Sequence, residues 1–523
     1  MSTTPPPDPT VSDAPSIHEL ERQRRAKRDA IAQLGLHPYG ERVDGLMPLA
    51  RAKADYESRE GPREDGVSPP KLAQQGGAPF RVAGRVMLLR DGGKLVWLNL
   101  RDDTGDMQVA VSQKDVDEAS FALVKQLDLA DVIVAEGPIT RTRAGEVTLW
   151  ASRLVMGAKA LLPPPEKWAG LQDTELRYRQ RYVDLWSNPE TMRVAMLRTR
   201  IASRIRAFLA SRGYAEVETP MLQTLAGGAA ARPFVTHMNA LGIDLYMRIA
   251  PELYLKRLLV GGMPRVFEIN RNFRNEGLDK QHNPEFTMLE LYHAFGDMET
   301  VMEVTESLIR DAATHVAQLA GADAPTLAFG DLTIDYARPF DRVRYGDLFE
   351  RALGFSMTDT TRVRAEAQRR GIKTKNEQGV ELDAWFVVNE LFEEFAEPTL
   401  GPARPTFITH YPAVLSPLTR PNRDDPSLAD RADLFIGGME IAPHYTELND
   451  PDVQEARFRE QLAGLDDEES TFRTFDEDFV RALKVGMPPA GGMGVGVDRL
   501  TMLLTNQRTI RDVVLFPLMK PLD

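Results

Sequence analysis

The segment LLPPPEKW, residues 161–168, divides this sequence, because three consecutive prolines and their neighbours break regular secondary structure. Short strand-like runs dominate before it, whereas strands and helices mix after it without a regular βαβ alternation. A chain of 523 residues has room for roughly two to four domains. The pattern predicts a small β domain over residues 81–165 and an α+β domain, built on an antiparallel sheet, over residues 166–523.

Five strand-like runs make up the first of these domains, with a helical stretch at about 113–128 between the third and fourth runs. The runs are residues 81–90, 94–101, 105–112, 131–138 and 147–155. This order is expected of a five-stranded OB-fold β-barrel, whose open face commonly binds single-stranded nucleic acid. Another small barrel remains the alternative that the pattern leaves open.

Two segments precede the strands. Residues 1–16, rich in Pro, Ser, Thr and Asp, predict a disordered tail. Residues 17–80 hold a basic helix from Ile17 to about Leu34, followed by a Gly/Pro-rich linker at 61–79. A solvated amphipathic helix and an RNA-contacting helix are both compatible with this basic stretch.

Composition excludes several classes of site. The chain has no cysteine, so disulfides, iron–sulfur clusters, thiolate zinc and a cysteine nucleophile are impossible, and a metal ion needs mainly oxygen ligands. The net charge of −13 argues against general coating of nucleic acid, although a local basic face stays possible. No apolar segment of membrane-spanning length and no signal peptide is present in the sequence, which predicts a cytoplasmic protein.

Two runs downstream, RVFEINRNFRNEG (265–277) and NPEFTMLELY (283–292), alternate like strands around a short polar loop and predict a hairpin. On the second run, Phe286, Met288, Glu290 and Tyr292 share one face, because side chains of a strand alternate. Phe286 and Glu290 are then about 13 Å apart. An aromatic ring at one end and a carboxylate at the other can hold a nucleoside base and a cation, although a surface ladder of paired charges is the structural alternative.

The segment GGMGVGVDRLTMLLTN (491–506) is a glycine-dense strand that leads into an apolar helix, with Arg499 at the junction. Its glycines do not fit a dinucleotide fingerprint, and no P-loop sequence is present. Glycines in a strand allow close approach of a ligand, and an arginine at a helix N-terminus can bind phosphate. Tight strand–helix packing, with Arg499 paired to Asp498, is the structural alternative.

Together these segments resemble a known family. The hairpin, the strand ending in Asp498–Arg499 and RGYAEVETPML (212–222) resemble motifs 2, 3 and 1 of class II aminoacyl-tRNA synthetases, in the order usual for that class. Within the class, further segments are similar to the bacterial-type lysyl-tRNA synthetases: GLQDTELRYRQRYVDLW (170–186), GGAAARPF (227–234), IAPELYLKRLLVGG (249–262) and TELND (446–450). The resemblance covers residues 17–523 and implies a six-stranded antiparallel sheet, an anticodon-binding OB domain and a homodimer formed through motif 1.

The resemblance also implies an ATP site. Arg274 is expected at the α-phosphate, Arg499 at the γ-phosphate and Phe286 against adenine. Glu276, His282 and Asn283 complete the implied nucleotide site. Glu440 and Asp433 are the implied Mg²⁺ ligands, where the family usually has Glu at the second position and the shorter Asp433 can bind through a water.

The lysine site implied by the resemblance is acidic. Glu252 and Gly228 are expected at the α-amino end, and Glu290, Tyr292 and Glu447 around the ε-ammonium, with Tyr445 also in the site. Carboxylates suit a cationic side chain, because their hydrogen bonds to an ammonium are charge-assisted. The structural alternative for Glu447 alone is a capping or solvated acid.

In the predicted OB domain, the resemblance places four residues at the anticodon. Trp97 stands where the family has a phenylalanine that stacks on a base, and Arg90, Gln108 and Glu146 occupy base-contacting positions. Trp97 lies in the alternating run LVWLNL, so a barrel-core role is the alternative.

One departure from the family pattern lies beside the lysine site. Where relatives usually have Asn-Ala-Tyr, this chain has Pro443-His444-Tyr445. Proline offers no donor, because it lacks both a polar side chain and a backbone N–H. His444 is the candidate replacement donor, with a solvent-facing position as the alternative.

The resemblance implies a lysine–tRNA ligase activity, in which lysyl-adenylate is formed from ATP and lysine and lysine is transferred to the 3′ end of lysine tRNA. Two enzyme alternatives are a paralogue that lysylates a protein acceptor and an altered variant that uses a lysine analogue. Such paralogues lack an OB domain, so the predicted OB domain at residues 81–155 argues against a paralogue that lysylates a protein. A regulator without catalysis is a third alternative, but the phosphate ligands Arg274, Glu440 and Arg499 are all retained.

Overall fold

A computed structural model describes residues 16–60, 79–164, 171–229, 231–375, 379–463 and 475–522. Most of the predicted tail (1–15), the linker (61–78) and the end of the proline-rich break (165–168) lie outside the described residues. The chain forms two compact units, Met1–Met192 and Arg193–Asp523. No helix among the described residues is both long enough and apolar enough to cross a membrane.

The first unit contains a seven-stranded sheet with the order β5-β6-β3-β2-β1-β4-β7. Its strands are β1 Phe80–Asp91, β2 Leu95–Asp102, β3 Gly105–Ser112, β4 Val132–Gly137, β5 Ile139–Arg141, β6 Val147–Trp150 and β7 Arg153–Ala158. Its helices are α1 Ile17–Gln33, α2 Leu49–Glu60, α3 Glu118–Val124, α4 Thr174–Arg179 and α5 Arg181–Ser187.

All five predicted runs form strands. A short additional strand, β5, follows the fourth run, and the fifth run divides into β6 and β7, so the sheet has seven strands. Pro138 separates β4 from β5, because proline cannot donate a ladder hydrogen bond. The run 147–155 divides between β6 and β7. Gly137 lies so close to β6 that an added Cβ would be 1.9 Å from the carbonyl oxygen of Trp150. The predicted helix 113–128 is shorter, α3, because Asp117 caps it by accepting from the Ser120 N–H.

Helix α1 confirms the predicted basic helix, and two of its basic side chains form contacts within the first unit. Arg24 is 8% exposed, and its Nη1 donates to the carbonyls of Leu129, Ala160 and Leu162 at 3.0–3.2 Å. Lys27 pairs with Asp128 at 2.7 Å. This part of the basic stretch therefore anchors the helix within its unit, which neither sequence interpretation anticipated.

The second unit is α+β. Its helices are α6 Pro189–Ser211, which begins just before the unit boundary, α7 Glu252–Val260, α8 Met298–Leu319, α9 Tyr345–Leu353, α10 Thr360–Arg370, α11 Ala384–Leu391, α12 Pro451–Ala463, α13 Glu477–Gly486, α14 Val497–Thr505 and α15 Ile510–Val513. Its strands are β8 Ala215–Glu216, β9 Leu222–Gln223, β10 Val235–Met238, β11 Ile243–Met247, β12 Arg265–Phe273, β13 Glu285–Ala294, β14 Thr326–Phe329, β15 Leu332–Asp335, β16 Asp341–Arg344, β17 Thr406–Thr409, β18 Arg431–Ile436, β19 Met439–Thr446 and β20 Ala490–Gly496.

The main sheet has eight strands in the order β16-β17-β18-β19-β20-β13-β12-β8. The six strands from β17 to β12 pair antiparallel, which confirms the expected sheet. The short edge strands β16 and β8 pair parallel with their neighbours. Helices α6, α8 and α14 contribute buried residues to the core of this unit together with the sheet. One face of the sheet is thereby covered, and the residues that alternate with the core line a cavity.

The predicted hairpin is confirmed: β12 and β13 pair antiparallel, with Asn272 opposite Phe286 and Glu268 opposite Glu290. Strand β20 adds to β13 so that Gly494 is opposite Glu290 and Gly492 is opposite Tyr292. The glycine-dense strand therefore lies directly beside the row of β13 side chains that the sequence places on one face.

Candidate active site

A cavity of about 490 Å³ opens on this face of the sheet. All six predicted nucleotide residues line it, and so do five of the six predicted lysine residues. These are Arg274, Glu276, His282, Asn283, Phe286 and Arg499, with Gly228, Glu252, Glu290, Tyr292 and Tyr445. Side chains that are distant in sequence thus meet in one cavity.

The end of the cavity around Phe286 is cationic. The Arg274 guanidinium carbon lies 5.1 Å from the centroid of the Phe286 ring. Arg499 donates from Nη1 to the Glu440 carbonyl at 2.8 Å and from Nη2 to His282 Nε2 at 3.0 Å. His282 Nδ1 lies 2.7 Å from Asp279 Oδ2, which orients the imidazole. Two guanidinium groups beside an aromatic ring suit a nucleoside polyphosphate.

Asp498 does not pair with Arg499, so the packing alternative for this junction is wrong. Asp498 is 2% exposed, forms an ion pair with Arg198 of α6 and accepts the Thr287 N–H at 2.7 Å. It thereby joins α14 to β13 and leaves Arg499 on the cavity wall.

The opposite end is acidic. Glu290 is 5% exposed, and burial, followed by the nearby charge of Glu252, raises its pKa to about 8. The Tyr292 hydroxyl lies 3.5 Å from Glu290 Oε2. Gly228 has φ +88° and lies against Glu252, whose Cβ would be 3.2 Å from an added Cβ. Carboxylates and a phenol at one closed end suit a ligand with ammonium groups.

Glu447, the sixth predicted lysine residue, lies behind this end rather than on the cavity wall. It is 1% exposed, and its Oε2 lies 2.5 Å from Nζ of Lys256. Its Oε1 is buried without a hydrogen-bond partner. Burial raises the pKa of Glu447 to about 7, and the attraction of Lys256 limits the rise. The solvated or capping alternative for Glu447 is therefore wrong.

The two predicted metal ligands differ in position. Glu440 lines the cavity, and part of the residue is accessible to solvent there. Its pKa is raised, first by desolvation among the surrounding protein atoms and then by the charge of Asp433. Asp433 is 2% exposed and lies off the cavity wall. Both its oxygens accept from Arg431, at 2.6 and 3.1 Å. No group of three or more acidic or histidine residues in the described part of the chain is arranged to hold a metal ion.

Comparison with known proteins agrees with this geometry. Residues 173–520 match the family model of class II tRNA synthetases (D, K and N), and residues 80–156 match the OB-fold nucleic acid binding domain of the tRNA anticodon type. The chain is 42% identical to lysine–tRNA ligase of Carboxydothermus hydrogenoformans, over 97% of this chain and 99% of that protein. It is 46% identical to that of Cronobacter sakazakii, over 96% and 97%.

The chain belongs to the lysine–tRNA ligases of class II. The sequence resemblance is therefore confirmed over both units. In this lysine–tRNA ligase fold, sequence reasoning missed Lys256, which is buried against Glu447, and Arg431, which lines the cavity and pairs with Asp433. For Lys256, the available signal was its position within the apolar helix LYLKRLLV, four residues after Glu252. The alternation Arg-Ala-Asp, which puts Arg431 and Asp433 on one face of β18, was the signal for Arg431.

The ligand role considered for His444 is wrong, and so is a solvent-facing position. His444 is 0% exposed. Its Nδ1 donates to the Ala432 carbonyl at 3.1 Å, and its Nε2 lies 2.8 Å from Oγ1 of Thr305 in α8. Burial lowers its pKa to about 4, so it stays neutral. Pro443 and Tyr445 line the cavity, and the alternation of β19 turns the residue between them into the core.

The OB-fold unit of the ligase presents the four predicted anticodon residues on neighbouring strands. Arg90 of β1 is opposite Trp97 of β2, and Gln108 of β3 accepts from Thr148 of β6 at 2.8 Å. Glu146 is exposed just before β6. The ring of Trp97 meets Trp150 edge-on, with centroids 5.6 Å apart. Trp97 lies on the face opposite the core residues Val96 and Leu98, so the barrel-core interpretation is wrong.

Proposed function

We propose that this chain acts in the cytoplasm as a lysine–tRNA ligase, joining ATP and lysine to form lysyl-adenylate and passing lysine to the 3′ end of lysine tRNA. The single cavity with two arginines at one end and acids at the other carries this proposal. Lysine-dependent exchange between ATP and pyrophosphate, followed by charging of lysine tRNA, tests it. Absence of exchange with lysine would refute the proposal.

The cationic end would take the nucleotide. Phe286 would stack on adenine, and Arg274 would move from its place over that ring toward the α-phosphate. Arg499, held by the Glu440 carbonyl and His282, would meet the γ-phosphate. Glu276, His282 and Asn283 would complete the contacts to ATP.

The acidic end would take lysine. Glu252, at the start of α7, and Gly228 would meet the α-amino group, while Glu290 and Tyr292 would meet the ε-ammonium, with Glu447 behind them and Tyr445 on the wall. The buried carboxylates give the ammonium strong partners that water does not screen. A cation-binding end of this kind favours lysine over acidic amino acids.

The chemistry would need no protein nucleophile. The lysine carboxylate would attack the α-phosphorus in line, and pyrophosphate would leave toward Arg499. Arg274 would stabilise the charge that grows on the α-phosphate oxygens. The tRNA 3′-hydroxyl would then attack the lysyl carbonyl, and AMP would leave.

Glu440 fits a Mg²⁺ site because Mg²⁺ commonly takes one or two carboxylates together with substrate phosphates rather than an all-protein cage. Asp433 would contribute only if Arg431 released one of its oxygens. Bound Mg²⁺ would neutralise phosphate charge. This use of a single wall carboxylate agrees with the lack of a three-ligand cluster in the described residues.

We also propose a homodimer. The segment from β9 to β11 exposes several large apolar side chains: Met221, Leu222, Leu225, Val235, Met238, Leu241 and Ile243. An exposed apolar patch of this kind is typical of an interaction surface. The patch begins with the last two residues of the segment that resembles motif 1 (212–222), which supports pairing through that motif.

Lysine affinity should depend on pH. Glu290, whose pKa is about 8, and Glu447, at about 7, bind an ammonium best as carboxylates, so both gain affinity as they lose protons. We expect the KM for lysine to fall by roughly tenfold between pH 6.5 and pH 8.5. Exchange kinetics across this range measure it, with the KM for ATP as the internal control. A lysine KM that does not change would contradict the assignment of these two acids.

Trp97→Ala should weaken tRNA charging. Loss of one base-stacking contact is expected to cost about 1–3 kcal/mol, roughly ten- to a hundredfold in kcat/KM for tRNA. Exchange of pyrophosphate, which needs no tRNA, should stay unchanged, and the matched variant Trp97→Phe should keep most activity because it keeps a ring. Equal damage to both reactions would show that Trp97 acts through the stability of its unit.

A lysine analogue as preferred substrate is a second candidate. Pro443 lies on the cavity wall and offers no hydrogen-bond donor there, and His444 does not replace one. Exchange assays with lysine and with analogues altered near the α-carbon discriminate the two candidates. A higher kcat/KM for an analogue would favour the second.

A further inference from the structure

We infer that Lys256 is a positioning residue of the lysine site: its ammonium joins Glu252 to Glu447, holds both carboxyl groups in place and leaves Glu447 Oε1 for an incoming ammonium. This inference rests on the proposed lysine-binding role of the acidic end. Lys256 does not line the cavity. It would therefore act only through the two acids that it contacts.

The geometry is that of a closed bridge. Lys256 is 0% exposed, and its Nζ lies 2.6 Å from Glu252 Oε1 and 2.5 Å from Glu447 Oε2. Glu252 and Lys256 are four residues apart on α7, so they share one side of the helix. Glu447 comes from the segment after β19. The ammonium thus ties two separate elements together behind the acidic end.

The second carboxylate oxygen of Glu447, Oε1, does not contact Lys256 in this bridge. Oε1 is buried and has no hydrogen-bond partner. An added Cβ on Gly492 would lie 1.9 Å from this oxygen and 2.6 Å from Cε1 of Tyr292, which lines the cavity. Oε1 therefore lies next to the wall at the acidic end. A buried carboxylate oxygen without a donor is costly, and a ligand ammonium would supply that donor.

Electrostatics explains why the bridge needs a cation. Burial lowers the pKa of Lys256, but the charges of Glu252 and Glu447 outweigh it, and the pKa lies above its usual value. Lys256 is therefore charged at neutral pH. Burial and the charge of Glu252 raise the pKa of Glu447, and the charge of Lys256 lowers it. The pKa that results from these opposing effects is about 7. Without Lys256, the pKa of Glu447 would rise further above its usual value, which favours the protonated form.

The groups around Glu447 are few in the described part of the chain. Helix α7 presents Lys256 and Glu252, β13 presents Tyr292, and β20 presents only Gly492, which does not titrate. Tyr292 stays neutral, since burial and the neighbouring acids raise its pKa well above the usual value. Lys256 is thus the cation that opposes protonation of Glu447.

Lys256→Met keeps an unbranched side chain of similar volume and removes the charge. By titration calorimetry at pH 7, we expect it to weaken lysine binding by at least about tenfold, because one charge-assisted contact is lost. Lysine binding should also release more protons than in the unaltered enzyme, measured in buffers of different ionisation enthalpy. In exchange kinetics the KM for lysine should rise, while kcat and the KM for ATP stay within about threefold, and the loss should shrink toward pH 8.5.

Lys484→Met, at an exposed lysine of α13, is the matched control and should leave all these quantities unchanged. Lys256→Gln serves as a second variant if Lys256→Met does not fold. Unchanged lysine affinity and proton release in a folded variant would overturn the inference, as would failure of both variants to fold, which would make Lys256 a stability residue. If the unaltered enzyme itself shows no lysine-dependent exchange, the proposed function fails first. Lysine activation by the unaltered enzyme with indifferent variants refutes only the role of Lys256.

Discussion

Replacing Arg274 by alanine is expected to lower lysine-dependent exchange between ATP and pyrophosphate by about a hundred- to a thousandfold or more. Arg274 lines the cavity with its guanidinium carbon 5.1 Å from the centroid of the Phe286 ring, and its Nε is buried without a hydrogen-bond partner. In adenylate formation the α-phosphate gains charge as the carboxylate attacks. Removing the guanidinium leaves that charge without its partner.

Arg271→Ala is the matched control for this prediction. Arg271 stands on β12, three residues before Arg274, but it pairs with Glu285 at 2.5 Å and does not line the cavity. Its removal should change exchange by no more than about threefold, because exposed ion pairs contribute little. Circular dichroism and thermal unfolding verify that both variants fold. Near-normal exchange by folded Arg274→Ala would remove this residue from the mechanism.

Replacing Gly492 by alanine is expected to reduce kcat/KM for lysine by about a hundredfold. The added Cβ would lie 1.9 Å from Glu447 Oε1 and 2.6 Å from the Tyr292 ring, so at least one of these groups must move. Both border the acidic end, and a displacement of about an ångström there is enough to spoil the alignment of lysine. Steady-state exchange kinetics with varied lysine measure the effect, and the KM for ATP should change much less.

Gly401→Ala is the corresponding control, because an added Cβ at Gly401 meets nothing within 4 Å. It should leave exchange unchanged. If Gly492→Ala kept its lysine kcat/KM while remaining folded, the close contact would be relieved without disturbing the site. The proposed place of Glu447 beside the lysine site would then be refuted.

Local patterns were sufficient for much of the fold. The alternation in residues 265–277 and 283–292 predicted the hairpin, and its period of two placed Phe286 and Glu290 on one face, as the register confirms. The helical spacing from Ile17 to about Leu34 predicted α1, which the structure has over Ile17–Gln33. The number of strands in the OB unit was less accessible, because the run 147–155 divides according to its partners: β6 pairs with β3 and β5, and β7 pairs with β4.

Motif order, periodicity and residue chemistry are local properties, and they were enough to predict the family, the two kinds of unit and most of the residues named for the cavity. The partners of those residues depend instead on how the chain packs. Asp498 pairs with Arg198 rather than with its neighbour Arg499, Glu447 pairs with Lys256, and His444 packs against Thr305. Alternation along a strand determines the face on which each side chain lies, so the sequence predicts that face. A buried charge needs a partner, and the folded chain determines which group lies next to it.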